Sequence, residues 1–286
     1  MNDEPLLTVI TISYNSQNIL TERLGPLIRS AIFPVIIIDN ASTDNSADIL
    51  KKRFKKSNIK KLPQNIGYGR AANVAFKTVN TPYALLLNPD VNASLDDVTK
   101  LLEIALKDTS ATAIWGPATK KKDITGSAPH TIDWLSGSAM LFDMNKLKRI
   151  GLFDNSFFLF YEETDLCMRA RAKGYNIKLC GDLYFEHTIG QSSAPSPSLA
   201  WMKDWHYGWS RCYYTCKHSN LSDKSIARKQ YLRFLRKFYT SIGRKRRFKF
   251  KARAAGAKAY LMGEQAFLPS GDAQMTQQNS SLMPDG

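Results

Sequence analysis

L-T-V-I-T-I-S-Y, residues 7 to 14, is a β-branched, mostly apolar run with no clear alternation of apolar and polar positions. A strand with one wet face alternates, whereas a strand covered on both faces reads as a nearly continuous apolar run. A polar turn at Asn15 and Ser16 leads into a helical pattern through Ile19, Leu20, Leu24, Leu27 and Ile28. A second run, V-I-I-I at 35 to 38, stops at Asp39-Asn40, and A-S-T-D-N-S then supplies turn and N-cap chemistry for a helix over Ala47 to Phe54. Strand, helix, strand, helix with doubly covered strands predicts an α/β fold, a doubly wound sheet with helices on both faces.

Open α/β sheets bind ligands at the carboxyl ends of their strands, here Ser13 to Ser16 and Asp39 to Asp44. The first turn lacks G-x-G-x-x-G, which argues against a dinucleotide site. Asp39 has the chemistry to accept a pyrimidine imide N–H or bond a ribose hydroxyl, and equally that of a turn or cap residue. In N-I-G-Y-G-R-A-A-N-V-A-F, residues 65 to 76, Gly67 and Gly69 permit close backbone approach, and Arg70 opens a helix where phosphate would meet both a guanidinium and helix N–H groups. The buried strand Y-A-L-L-L at 83 to 87 ends in Asn88-Pro89-Asp90, and Ser94 with Asp97 forms a capping box for the next helix. Asp90 fits either a Pro-Asp turn or a ligand holding Mg²⁺ against a diphosphate.

Residues 111 to 118 and 133 to 142 read as strands, the latter with Gly137 marking a close backbone approach, and a helix over Met144 to Ile150 follows. S-F-F-L-F-Y-E-E-T-D-L-C-M-R-A-R-A-K-G-Y, residues 156 to 175, runs from aromatic residues into Glu162, Glu163 and Asp165 and then into a helix ending at Gly174. Acids at a helix start complement the macrodipole, and this alone accounts for them as well as catalysis would. Short strands at 177 to 180 and 183 to 187 close the pattern, with His187 before the polar loop T-I-G-Q-S-S. A lone histidine there is either a hydrogen-bonded structural residue or a ligand.

The chain has 286 residues and 43% hydrophobic content, enough for a normal core. The first twenty residues carry Asp3 and Glu4 and no basic leader, and no uncharged apolar run approaches the roughly 18 residues of a membrane span, so neither export nor insertion is expected. Cys167, Cys180, Cys212 and Cys216 lack CxxC spacing, which favours reduced cytoplasmic thiols over a zinc site. The formal net charge of +15 is concentrated between Lys203 and Lys258, where 17 Lys or Arg face two acids, Asp204 and Asp223. An amphipathic helix is predicted over 226 to 242, followed by G-R-K-R-R-F-K-F-K-A-R. That surface suits an anionic membrane or plain solvent; nucleic acid is disfavoured because no recognised binding module accompanies the charge. Residues 269 to 286 have the composition of a disordered tail.

Taken together, T-V-I-T-I-S-Y-N-S, I-I-I-D-N-A-S-T-D, N-I-G-Y-G-R-A-A-N, L-L-L-N-P-D, W-L-S-G-S-A-M-L-F, G-L-F-D-N-S-F-F-L-F-Y-E-E-T-D-L-C-M-R and H-T-I-G-Q-S resemble, in order, the family 2 inverting glycosyltransferases of GT-A fold, especially bacterial rhamnosyltransferase-like enzymes. The resemblance runs from about residue 7 to 193 and implies a mixed sheet in a catalytic domain over 1 to 198; charge and composition beyond it predict a basic helical extension over 199 to 268 and a tail over 269 to 286. It implies that Ser13, Tyr14, Asn15, Asp39, Asn65, Gly67, Arg70 and Asn88 surround the nucleotide. Asp90 and His187 would hold Mg²⁺ or Mn²⁺, with Asn88 standing where the family's D-x-D motif has Asp. Glu163 would be the general base, a Glu where Asp is more usual, with Glu162 and Asp165 supporting it. The implied reaction moves a sugar, rhamnose from dTDP-rhamnose first and UDP-sugars next, onto a glycan or lipid-linked acceptor in cell-surface polysaccharide synthesis at the inner face of the membrane. The alternative is a non-catalytic sugar-nucleotide or membrane-binding protein that retains the fold.

Overall fold

The computed structural model describes residues 4–126, 128–188, 196–219 and 224–274. The two opening apolar runs form β1 (Leu7–Ser13) and β2 (Val35–Asp39), buried along their whole length. The helical pattern between them divides into α1 (Gln17–Arg23) and α2 (Gly25–Ser30). Pro26 is the cause: it lacks the N–H a continuous helix needs but is tolerated in a first turn. Then follow α3 (Ser46–Arg53), β3 (Asn58–Lys61), α4 (Tyr68–Phe76), β4 (Tyr83–Leu87), β5 (Val91–Asn92), α5 (Leu95–Lys107), β6 (Thr112–Ala118), β7 (His130–Thr131), β8 (Ala139–Asp143), α6 (Met144–Ile150), α7 (Glu162–Ala172), β9 (Asn176–Tyr184) and β10 (Glu186–His187).

The main sheet has the order β3-β2-β1-β4-β8-β6-β9-β7. β1 pairs in parallel with β2 and β4, β2 with β3, and β6 with β9, while β8 runs antiparallel between β4 and β6. The sheet is therefore mixed, as expected. Its two faces feed two cores by strict alternation. Ile10, Ile12, Ile36, Ile38, Ala84 and Leu86 pack with Ala72 and Phe76 of α4 and with Leu166 and Ala170 of α7. Leu7, Val9, Val35, Ile37, Leu85 and Leu87 pack with Leu20, Leu27, Leu50 and Leu101 on the other side. Each Leu, Ile, Val or Phe among them contributes roughly 1.5–3 kcal/mol when fully buried, which is why these runs are mostly apolar on both faces.

Three expected strands differ. Only the end of the run 133 to 142 joins the sheet, as Ala139–Asp143: past the Leu87–Ala139 pair the ladder ends in one bond from the Asn88 N–H to the Ser138 carbonyl, and the next residue, Pro89, has no N–H to extend it to Gly137. The two short strands expected at 177 to 180 and 183 to 187 become one nine-residue β9 plus the two-residue β10. β10 pairs with β5 instead, His187 opposite Val91.

The chain divides into two compact units: Met1–Asp154 with Glu163–Ala194, and Asn155–Glu162 with Pro195–Gly286. A single cut at residue 198 therefore misses the excursion of 155–162 into the second unit. That unit is helical, with α8 (Pro197–Lys217), α9 (Ser225–Thr240) and α10 (Arg244–Leu261). Phe158, Trp201, Trp205 and Trp209 pack on Ala252 and Ala259, and Phe234 of α9 packs with Cys212, Phe250 and Ala257. A Cβ on Gly208 of α8 would collide with the Arg253 backbone, and one on Gly256 of α10 with the Trp205 backbone, so the two helices touch through bare main chain. Residues 269–274, expected to be disordered, form a turn in which Phe267 bridges to Ala273. Phe267 anchors it by packing on Phe158, ring centroids 5.6 Å apart. Residues 189–195, within the polar loop after His187, and 275–286 of the expected tail lie outside the described residues. Among the described residues no helix is long and apolar enough to cross a membrane. All four cysteines are free, and no group of three His, Cys, Asp or Glu among the described residues gathers as a metal site.

Candidate active site at the carboxyl edge of the sheet

β1, β2 and β4 all end on one edge, and the polar residues after them are tied together there. Asp39 is fully buried; its Oδ1 accepts from the Ser42 N–H at 2.9 Å, and its Oδ2 has no hydrogen-bond partner. Asn15 holds the end of β1 to the turn after β2: its N–H donates to Ser42 Oγ at 2.8 Å, and its Oδ1 accepts from the Thr43 N–H at 2.8 Å. Ser13 Oγ and Ser16 Oγ lie 3.0 Å apart, and Ser16 Oγ also accepts from the Tyr14 N–H. Asn40 reaches the third chain segment, donating to Asn65 Oδ1 at 2.9 Å and accepting from the Ile66 N–H at 3.0 Å. Asn65 Oδ1 also accepts from the Gly67 N–H, and Gly67 takes φ 81° as it enters α4. Asn15 and Ala41 adopt left-handed φ of 50° and 64°. Strain of this kind concentrates where surrounding structure fixes a functional loop.

Gly67 thus opens α4 with Tyr68 and Arg70 in its first turn. Burial lowers the Arg70 pKa, and nearby Asp154 partly restores it. One turn on, Asn73 grips the chain before residue 155 in both directions, donating to the Phe153 carbonyl at 2.8 Å and accepting from the Phe153 N–H at 3.0 Å.

Beyond β4, Asn88 is fixed by its N–H donating to the Ser138 carbonyl at 2.8 Å, while its side-chain Oδ1 is buried without a partner. Asp90 is 2% exposed. The β5–β10 ribbon brings His187 beside it, Nε2 3.2 Å from Asp90 Oδ1. That contact lacks hydrogen-bond alignment, and Asp90 Oδ1 and, on the other side of the ring, His187 Nδ1 are buried without a hydrogen-bond partner. Such groups are costly unless something binds them. One carboxylate, one imidazole and one amide oxygen fit a divalent cation that completes its shell with phosphate oxygens and water.

Glu163 lies in the first turn of α7. Burial pushes its pKa above the usual carboxylate range, and the N–H groups of Glu163 and Thr164 at the helix start pull the other way. Gly137 faces it: a Cβ there would stand 3.4 Å from Glu163 Cβ and Cγ, in van der Waals contact. The Gly137 carbonyl accepts from Tyr68 Oη at 3.1 Å, which ties the loop before β8 to α4. Glu162 is buried, and Phe160 and Tyr161 before it both take φ 69°. Asp165 pairs with Arg169 at 2.8 Å, and Arg169 donates to the carbonyls of Ile150, Gly151 and Leu152, so this acid holds the loop entering the site. Asn40, Ser42 and Thr43 fell within the strand-end span Asp39 to Asp44 without being singled out, and Asn73 was not selected at all. For Asn40 a signal existed, a polar residue directly after a strand-ending Asp; for Asn73, buried in a helix, there was none.

The description Glycosyl transferase family 2 matches residues 8–167, more than half of the chain. The chain belongs to glycosyl transferase family 2. Among curated members, this family 2 chain is 22% identical over 204 residues to the low-salt glycan biosynthesis hexosyltransferase Agl10 of Haloferax volcanii, covering 61% of this chain and 64% of that one. It is 22% identical over 269 residues to the N-acetylglucosaminyl-diphospho-decaprenol L-rhamnosyltransferase of Mycobacterium tuberculosis, covering 72% and 87%. The chain thus spans just under two thirds of the first relative's length. Its fold matches the mannosyltransferase PcManGT of Pyrobaculum calidifontis, solved with GDP-Man and Mn²⁺, with TM-score 0.57, 14% identity and coverage of 92% and 75%. This likeness establishes the GT-A fold of the family 2 chain.

Proposed function

We propose that the chain is an inverting glycosyltransferase that takes a sugar from a nucleoside diphosphate and places it on a hydroxyl of a glycan or lipid-linked acceptor in cell-surface polysaccharide synthesis. The observation that carries this reading is Glu163, a helix-start carboxylate with a raised pKa, on the unit whose strand-end edge also carries the unsatisfied Asp39, Asn88, Asp90 and His187. The L-rhamnosyltransferase relative supports rhamnose as the first sugar to test, which we would offer as dTDP-rhamnose, with UDP-sugars next.

In this mechanism Asp39 Oδ2 takes a base imide or ribose hydroxyl, and the Asn15, Asn40 and Asn65 network holds the three loops around the nucleoside. Gly67 and Arg70 receive the diphosphate at the start of α4. Asp90 and His187, with Asn88, would hold Mg²⁺ or Mn²⁺. A cation held by these residues would supply positive charge to offset what builds on the leaving diphosphate. Glu163 takes the proton of the acceptor hydroxyl as its oxygen bonds to the anomeric carbon. The bond from that carbon to the diphosphate oxygen breaks on the opposite face, and its electron pair leaves with the nucleotide. Configuration inverts because there is one displacement. The raised pKa keeps Glu163 basic enough to accept the proton near neutral pH.

Calorimetric titration of dTDP, UDP, GDP and CDP with Mg²⁺ or Mn²⁺, and again with EDTA, tests the donor site without an acceptor. Metal-dependent binding of dTDP or UDP is expected. Asp90→Ala should weaken the metal-dependent part at least about tenfold, the scale of losing a charged hydrogen-bonding group. Unchanged affinity would remove Asp90 from the metal site, and no binding of any nucleotide by folded protein would overturn the donor reading.

A further inference from the structure

α9 has two unlike faces. Ala227 and Phe234 are buried, and Tyr231, Leu235 and Phe238 pack beside them against α8 and α10. On the outer face, Arg228, Leu232, Arg236 and Tyr239 follow one another at three- and four-residue spacing. Leu232 is 61% exposed, Tyr239 74%, and Ile242 at the turn into α10 95%. Lys229, Arg233, Arg244, Lys245, Arg246, Arg247 and Lys249 are exposed on the same two helices and their turn. Between Lys224 and Gly263 the sequence has 14 Lys or Arg and no carboxylate.

Either half of this pattern alone would be ordinary: cations are often a solvated face, and single exposed apolar residues are common. Their combination is informative. A leucine, a tyrosine and an isoleucine standing out of water within an acid-free cationic field match a layer with phosphates outside and hydrocarbon beneath, where tyrosine sits at the boundary and long cationic stems reach back to the headgroups. A nucleic-acid backbone would use the charge and Tyr239 but gives an aliphatic Ile242 nothing to enter.

From this we infer that the outer face of α9 and the start of α10 form a docking surface for an anionic phospholipid bilayer, with Leu232, Tyr239 and Ile242 entering the headgroup region. The inference depends on neither the donor nor the reaction assigned above.

The test is co-sedimentation of the full chain with vesicles of phosphatidylcholine alone and of phosphatidylcholine mixed with phosphatidylglycerol, at low and high salt. A labelled single-stranded and a labelled duplex oligonucleotide serve as competitors. Binding to the anionic vesicles only, weakened by salt, is expected. L232S/Y239S/I242S should lose at least about tenfold in partition, and R233E/R236E at least as much, since one cation near such a surface is worth about fivefold. Both variants change exposed side chains, and unaltered thermal unfolding would verify that they fold. Three outcomes overturn the inference: no binding to anionic vesicles, equal binding by the triple apolar variant, or tighter binding to an oligonucleotide than to the vesicles.

Discussion

Two groups on this chain respond to pH with opposite sign. Glu163 has a raised folded pKa, so the native state holds its proton longer than the unfolded chain. Stability is therefore lost as pH rises from the ordinary value of 4.5 through the raised one. Glu163→Gln should cut transfer by about 10²- to 10⁴-fold, the range for loss of a general base, while nucleotide affinity is kept and the neutral-pH melting temperature rises. Parallel loss of nucleotide binding would make Glu163 a donor contact. His206 is the converse case. It is fully buried, stacked on Phe158 at 4.5 Å, with neither ring nitrogen hydrogen-bonded, and burial lowers its pKa to about 3. The unfolded chain takes the proton first, so stability present above 6.5 falls by about 1.4 kcal/mol per pH unit toward 3. His206→Phe should flatten the acid side of a plot of urea midpoint against pH; an unchanged slope would assign acid sensitivity elsewhere.

The elements show what a sequence can and cannot reveal. Continuous apolar runs such as V-I-I-I were legible as strands because both faces of the sheet are covered, and the helix starting at Leu95 was legible from its Ser94 cap, whose Oγ accepts from the Asp97 N–H. Register was not legible: nothing in D-W-L-S-G-S says that pairing ends at Ser138, because that limit is set by the partner strand, where Asn88 is followed by Pro89. Site residues at strand ends could be picked out by position, whereas the Asn40, Ser42 and Thr43 bridges depend on loops meeting in space. α7 adds a fixture of the same kind. Arg169 joins buried Asp165 to three carbonyls of residues 150–152, and Arg169→Leu removes the guanidinium from a buried carboxylate and from those carbonyls together. A loss of about 3–5 kcal/mol is expected from denaturant unfolding, and less than 1 kcal/mol would mean that other contacts hold this turn.

For the molecule as a whole, the route of the chain matters more than any boundary. Residues 155–162 belong to the helical unit, held by Phe157 against Tyr213 at 5.0 Å and by the Leu159 carbonyl accepting from Ser210 Oγ at 2.9 Å, and the next residue is Glu163. Aromatic content gave no hint of this allegiance, since S-F-F-L-F suits a strand or a loop equally. A chain ended after residue 198 should keep its nucleotide site yet lose transfer by about 10²-fold or more, because the segment before the proton acceptor is unmoored. Full activity in that fragment would make the helices dispensable for chemistry. The bare-backbone crossing of α8 and α10 has an evolutionary consequence. Drift is barred at Gly208 and Gly256 together, since a methyl group on either pushes the helices apart and no partner substitution can compensate for a clash with main chain. Among descendants of this sequence the pair should persist while neighbouring side chains turn over, two small fixed points in a region that otherwise has no motif.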